Sequence, residues 1–481
     1  MASCRSSDGE PLKVAVEMGV TLKVKENHAT PEKTDTFYNP KMRMNREMVL
    51  CALATMAEEK DQLRCLDAFG ATGIEGILWS KYLKSKCPQV TIGDIKEETV
   101  ALIRRNVRSN GFRVKTEEKK RLRDKEDGRV NNEEGGMDDN GAGDEETEAM
   151  KKPEIEVVCC DANVLLHQRP FDFVHLDPYG CSVQYLDAAF RNVPKDGIVA
   201  ITSTDTSALY GKCPNVTQRH YNSYITRSEF MREMAVRLIL ASVVRAVARC
   251  NKGVDVLLSL VAEHFLLVVV RVQRGPSYAD ACLERVQGVI HCQLCQERVF
   301  QSNDRMLNEN NYTLLPCTCH VGTPGKTATL LGPVWSGPVF NLEFLKRMFS
   351  ACRGLLVSPT TRNHLKTMIQ EAQCPAGKGD EMCEDDMDNS CQQANQNPWK
   401  KRKTDGDDGY QSQPHPAFYY NIHRHCAKSK DSPKMQKILQ YMRKEGYRAS
   451  RTHFDPIAIR TDANLLQLKA VLQKYSSQTV N

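Results

Sequence analysis

Short apolar runs alternating with helix-like segments constrain this chain more than any other feature. Leu63–Ala68, Val90–Asp94, Ile155–Cys160 and Phe171–Leu176 read as buried strands, and Gly76–Tyr82 and Glu98–Asn110 show helical spacing between them. Strands joined by crossover helices pair in parallel, so an α/β architecture is expected. Ile198–Ser203 and Val254–Leu260 add further strands. Met231–Cys250 reads as a long helix whose Arg237, Arg245 and Arg249 argue against a membrane span.

Two polar stretches interrupt the pattern. Lys115 to Lys152 is mostly Glu, Lys, Asp, Gly and Asn, burying too little to offset its ordering entropy, and is expected as a disordered insertion. Glu371 to Pro416 is expected as a disordered linker between two parts of a carboxyl-terminal domain, 276–370 and 417–481, that follows a first domain at 1–275. With 481 residues, 41% of them hydrophobic, there is material for two or three cores. The balance of 66 basic against 60 acidic side chains permits a polyanionic partner without requiring one. Met1-Ala2-Ser3-Cys4-Arg5 lacks the apolar core of a signal peptide, and no uninterrupted apolar span reaches membrane length. A soluble intracellular protein is expected, with no membrane contact and no obligate protein partner. Nineteen cysteines in that setting argue for reduced thiols and a metal rather than disulfides. Lys400-Lys401-Arg402-Lys403 reads either as a nuclear localisation signal or as solvated charge. The nucleus, including the nucleolus, is the expected location and the cytoplasm the alternative.

The strand ends carry the chemistry. Asp67-Ala68-Phe69-Gly70-Ala71-Thr72-Gly73 leaves the first strand and opens a helix, with glycines that let backbone approach a ligand closely. It is neither Gly-x-Gly-x-x-Gly nor a P-loop, which disfavours dinucleotide and nucleoside-triphosphate sites. Asp94 closes the second strand, placed to accept from ribose hydroxyls, and Asp161-Ala162 closes the third, where a side chain and a backbone N–H can address an adenine edge. Asp177-Pro178-Tyr179-Gly180 closes the fourth. Alone, this tetrapeptide reads as an ordinary turn. In this company its carboxylate and neighbouring carbonyl suit an exocyclic base amine, and its ring suits stacking on the base. The combination describes a class I, Rossmann-like methyltransferase that uses S-adenosyl-L-methionine.

Phe37-Tyr38-Asn39-Pro40 through Asn45-Arg46, the Gly70-Ala71-Thr72-Gly73 loop, Asp161-Ala162-Asn163, Leu176-Asp177-Pro178, Thr204-Asp205 and Arg451-Thr452-His453-Phe454 together resemble the tRNA guanine-26 N2-dimethyltransferase family. The likeness runs from about Phe37 to Tyr475. It is strongest to the family's animal paralogue branch, through Asp67–Gly73 and Phe418-Tyr419-Tyr420-Asn421-Ile422-His423-Arg424-His425. The resemblance implies a tRNA substrate, modified at guanosine 26 or the neighbouring 27 where the D and anticodon stems meet. It also implies cofactor roles for Arg46, Asp94, Asp161 and Ala162, beside Asp67, Gly70 and Gly73, and a substrate-amine role for Asp177 with Pro178 and Tyr179. Two positions depart from the family: Glu75 stands where arginine is common, and Tyr179 where phenylalanine is usual. Two alternatives stay open, an N6-adenine methyltransferase of DNA or RNA and, because of Glu75, a catalytically weak tRNA-binding protein.

Cys292-Gln293-Leu294-Cys295 and Cys317-Thr318-Cys319 form two close thiol pairs suited to structural zinc, with His291 or His320 as possible substitutes. The polar Gln301–Asn311 segment between them is the kind that a metal clamp would hold. Farther on, Ser432-Pro433 reads as a helix start and Gly446 as its stop, with Met435, Ile438, Leu439 and Met442 on one face. Tyr447-Arg448 and Arg451-Thr452-His453 interleave basic and aromatic groups as RNA-binding surfaces do. The second half is therefore expected as an α+β RNA-binding domain with a zinc insertion and a winged-helix-like end.

Overall fold

The computed structural model describes residues 12–24, 38–86, 89–115, 153–262, 264–301, 311–323, 325, 327–376, 415–426 and 434–476. The expected insertion beyond Lys115, most of the expected linker with its Lys400–Lys403 cluster, the segment 302–310, Ser432 and Pro433 all lie outside them. Residue contacts divide the chain into two units, residues 1–38 with 62–161 and residues 39–61 with 162–481.

In the first unit, β1 (Lys13–Glu17) and β2 (Val20–Val24) form an antiparallel hairpin. Its two-residue turn puts Met18 and Gly19 at φ 47° and 68°, the left-handed geometry that matches strand twist. β3 (Arg64–Asp67), β4 (Gln89–Asp94), β5 (Arg113–Lys115) and β6 (Glu154–Cys159) are parallel, in the order β5-β6-β4-β3. Helices Ile74–Leu83 and Glu97–Ser109 follow β3 and β4, as the sequence alternation requires. Val100, Ile103 and Val107 recur at helical spacing on the buried face of the second helix.

In the second unit, β7 (Phe173–Leu176) runs parallel to β8 (Ile198–Ser203), which pairs antiparallel with β10 (Leu266–Arg274) and through it with β9 (Lys252–Val261). β7 and β8 are buried along their whole length, which explains why they read as continuous apolar runs rather than alternating ones. β11 (Val286–Cys292) lies between β12 (Arg298–Gln301) and β13 (Ala328–Trp335). Near the carboxyl end, β16 (Ala458–Thr461) lies between β14 (Tyr420–Asn421) and β15 (Ala449–Arg451).

The expected boundary at residue 275 is not a division of the structure, and buried charge supplies the reason. Helix Met231–Ala248 carries Glu233 and Arg237, both buried. Arg237 donates to Glu233 at 2.7 Å and to the Trp335 carbonyl at 2.8 Å. Arg460 sits between Glu233 and Glu371, 2.7 Å from each. A buried ion needs its partner, so these side chains tie residues 231–248 to residues 335, 371 and 460. Glu371, expected to open the linker, is instead a fully buried part of helix Pro359–Gln373. Thr452 and His453, expected on an RNA-facing surface, are buried against it at 2.6 and 2.7 Å. Arg451 is exposed. Helix Met435–Lys444 buries Ile438, Leu439 and Met442, and Gly446 follows it at φ 90°. Among the described residues, no helix is long and apolar enough to cross a membrane.

Candidate active site

The first unit gathers its strand ends around Asp94. The Gly70 N–H donates to the Gly93 carbonyl at 2.8 Å, and the Ala71 N–H to Asp94 Oδ2 at 3.1 Å. The Lys96 N–H reaches Asp94 Oδ1 at 3.0 Å, and the Cys160 N–H reaches the Asp94 carbonyl at 2.9 Å. Burial raises the Asp94 pKa above its ordinary value, and these backbone donors oppose the shift. A side chain at Gly70 would have to displace its neighbours, since a Cβ there overlaps the Ile92 Cγ2 methyl and lies 3.0 Å from Ile103 Cδ1. Gly73 caps the following helix at φ 79°, and Ala71 adopts φ 46°, an uncommon conformation for a residue with a side chain. Asp67 is buried at the end of β3 and Asp161 is half-buried after β6. Glu75 is buried in the first turn of helix Ile74–Leu83.

In the second unit, Asp177 leaves β7 half-buried, Pro178 is buried, and Tyr179 is 65% exposed. The loop is stitched to the exit of β8. Gly180 N–H donates to Thr204 Oγ1 at 2.8 Å, Thr204 N–H returns to the Gly180 carbonyl at 3.0 Å, and the Ser182 and Ser203 hydroxyls meet at 2.7 Å. Asn45, on helix Arg43–Glu59, donates from Nδ2 to Asp177 Oδ2 at 3.3 Å. Next to it Arg46 is buried and donates to the Asn39 carbonyl at 3.2 Å. Ala162 is buried at the start of helix Ala162–Gln168. Beyond the loop, Tyr221 Oη donates to both Asp205 oxygens at 2.8 Å. Burial raises the pKa of Asp205 and pushes that of Tyr221 far up.

The same unit brings all four expected zinc ligands together. The sulfurs of Cys292, Cys295, Cys317 and Cys319 lie within 4.8 Å of one another. Backbone bonds hold the knuckle in place: the Cys292 N–H donates to the Glu297 carbonyl at 2.7 Å, and the Gln293 N–H to the Thr327 carbonyl at 2.8 Å. His291 is buried edge-on against Phe230, outside the four-sulfur group.

Sequence reasoning assigned no role to Asn45, although its segment was part of the family likeness, nor to Tyr221. Both lie on helices not assigned from the sequence, Arg43–Glu59 and Pro214–Tyr221.

Parallel strands with helical crossovers, a glycine-turned loop after β3 and acids at the strand ends define a mixed α/β protein with a parallel sheet. Trm1 from Pyrococcus horikoshii, solved with S-adenosyl-L-methionine, shares this fold with a TM-score of 0.67 at 24% identity, over 96% of this chain and 99% of that one. The chain belongs to the N2,N2-dimethylguanosine tRNA methyltransferase family, whose model matches residues 19–128, 142–378 and 409–473. It is 45% identical over 506 residues to the tRNA (guanine(27)-N(2))-dimethyltransferase of Rattus norvegicus, covering 99% of this chain and 66% of the relative. The Homo sapiens protein of the same name is 44% identical, with 98% and 64% covered. The tRNA (guanine(26)-N(2))-dimethyltransferase of Methanobrevibacter smithii is 25% identical, with 96% and 97% covered. The chain thus spans just under two thirds of the length of those two animal relatives.

Proposed function

We propose that this chain transfers methyl groups from S-adenosyl-L-methionine to N2 of a tRNA guanosine, at position 26 or the neighbouring 27. The observation that carries the reading is Asp177: a half-buried carboxylate at the end of a buried strand, braced by a buried amide, in a chain of this family. The names of the animal relatives favour 27. Methyl transfer to tRNA purified from cells lacking the protein, followed by nucleoside mass spectrometry and position mapping, tests it. N2-methyl- and N2,N2-dimethylguanosine are expected; N6-methyladenine, or no product, overturns it.

The residues of the first unit fit the cofactor. The Asp94 carboxylate at the end of β4 accepts backbone N–H groups on both oxygens, and a carboxylate oxygen held in this way can also accept from a hydroxyl donor. Asp67, Gly73 and Asp161 are assigned to the same ligand, and the family likeness alone adds Ala162 and Arg46, the arginine toward a carboxylate. When bound, S-adenosyl-L-methionine supplies an electrophilic methyl group on a sulfonium.

The chain's own task is to make a poor nucleophile attack. The guanine N2 lone pair is delocalised into the ring, and the Asp177 carboxylate and Pro178 carbonyl accept its two N–H groups and aim it. Positioning is the main contribution, with Tyr179 stacking on a base flipped out of its helix. After transfer the nitrogen is cationic and acidic, and Asp177 takes its proton. For a second methyl, the monomethylated amine rotates and presents its remaining hydrogen to the same acceptors.

We also assign zinc to the four cysteines, because four clustered thiols on two short turns match a closed tetrahedral site. Elemental analysis should find about one zinc per chain, and chelation should lower the thermal midpoint by roughly ten degrees or more, since structural zinc contributes folding energy outright. A zinc-free chain with an unchanged midpoint sinks the assignment. The tRNA is assigned to the carboxyl-terminal elements and nuclear import to Lys400–Lys403; loss of nuclear accumulation in a Lys400–Lys403 alanine variant tests the latter.

A further inference from the structure

We infer that Asn45 is a positioning residue for Asp177, locked in its working orientation by Thr202 and His175; the inference rests on the functional reading above. Asn45 is completely buried. Its Nδ2 reaches Asp177 Oδ2 at 3.3 Å, and its Oδ1 lies 3.1 Å from Thr202 Oγ1. Thr202 Oγ1 in turn lies 3.1 Å from His175 Nε2. Each proton in this chain follows from the one before. A carboxylate only accepts, so the Asn45 amide must turn its NH2 toward Asp177 and its carbonyl toward Thr202. Thr202 has a single hydroxyl proton and gives it to that carbonyl, so His175 Nε2 must be the donor to Thr202. The relay thus fixes one amide flip and one histidine tautomer.

The consequence falls on the carboxylate. With Oδ2 held by a buried N–H, the plane of Asp177 is set before substrate arrives, and an amine approaching it meets an acceptor of fixed direction. Loop stitching by Thr204 and Ser203 holds the backbone of 180–182 but touches no Asp177 oxygen. Asn45 thus bears on the aim of the carboxylate itself, and these two contacts on the turn that carries it.

The test uses the full chain and single-turnover methyl transfer to tRNA across pH. Asn45→Ala should slow transfer about 10- to 100-fold, as loss of alignment does, while dissociation constants for S-adenosyl-L-methionine and tRNA stay within about twofold. Asn45→Asp places a second carboxylate against Asp177, and like charges raise a carboxyl pKa, so the acidic limb of the rate profile should move up by about one pH unit or more. Thr202→Val, which keeps shape and loses the proton, should slow transfer, and Thr202→Ser should restore it. Rates within twofold of wild type in Asn45→Ala, or an unmoved limb in Asn45→Asp, overturn the inference. If wild type transfers no methyl group, the functional reading fails by itself. The relay is then judged by the 13C carboxyl titration of Asp177, assigned through its loss in Asp177→Asn: an upward shift in Asn45→Asp supports it, and an unchanged midpoint overturns it.

Discussion

Gly70 and Asn45 hold their respective loops by opposite means. After β3, main-chain donors close on one carbonyl and one carboxylate: the Gly70 amide on Gly93, and those of Ala71 and Lys96 on the Asp94 side chain, while Gly70 is packed where a Cβ would crowd Ile92 and Ile103. After β7, side chains do it, with an asparagine, two threonines and two serines fixing a carboxylate and its turn. Apart from the Asp94 acceptor, a loop held by main-chain donors tolerates changes of side-chain chemistry better than changes of volume. A site made of side chains shows the reverse, since Thr202 and Ser182 can be exchanged for groups of equal size only if the hydroxyl proton is kept.

Replacing Asp177 by alanine should have the largest effect, lowering single-turnover transfer by about a thousandfold while the thermal midpoint moves little. A collapse of the fold instead would show that the side-chain site cannot be separated from its scaffold. Gly70→Ala should cost about 1–3 kcal/mol by overpacking against Ile92 and Ile103 and weaken S-adenosyl-L-methionine binding, read by denaturant titration and calorimetry. A neutral result would remove the claim that this loop is limited by volume.

Acid should affect the two units with opposite sign. Burial holds Asp94 above its ordinary 3.8, so its ionised form is a penalty on the folded first unit. That penalty is relieved as pH falls through the raised folded value toward 3.8. Burial also opposes ionisation of Glu233, but Arg460 and Arg237 outweigh it and hold the group at about 2, below its ordinary 4.5. Its contribution is complete above 4.5 and lost as pH falls from there toward 2. Denaturant midpoints between pH 6 and 3 should therefore rise slightly before they fall. Asp94→Asn should remove the rise and Glu233→Gln should flatten the fall. The smallest effect expected is that of Ala71→Gly, a gain of about 0.5 kcal/mol from relieving the left-handed backbone.

The sequence showed β8 to the residue, and β3, β4 and β6 to within one residue at either end, because buried parallel strands are apolar runs and strand-end acids are conspicuous after them. Asp177 was legible for that reason. Asn45 was not, because its partner is 132 residues away and one polar residue on a helix carries no trace of what it faces. Thr452 and His453 misled in the same way. They look like an RNA-facing pair until Glu371, more than 80 positions earlier, appears beneath them. The hairpin of β1 and β2 was missed because its strands are short and Val14 and Val16 are exposed.

The described residues that flank the two long polar stretches are anchored. Before the first, Lys115 pairs in register with Glu156, and Arg113 donates to the Pro153 carbonyl at 3.2 Å. Around the second, His415 donates to the Glu371 carbonyl at 2.8 Å, and Arg460 to the Pro416 carbonyl at 2.7 Å. A tag or deletion placed in either stretch would therefore start from flanks that the described fold already holds in register.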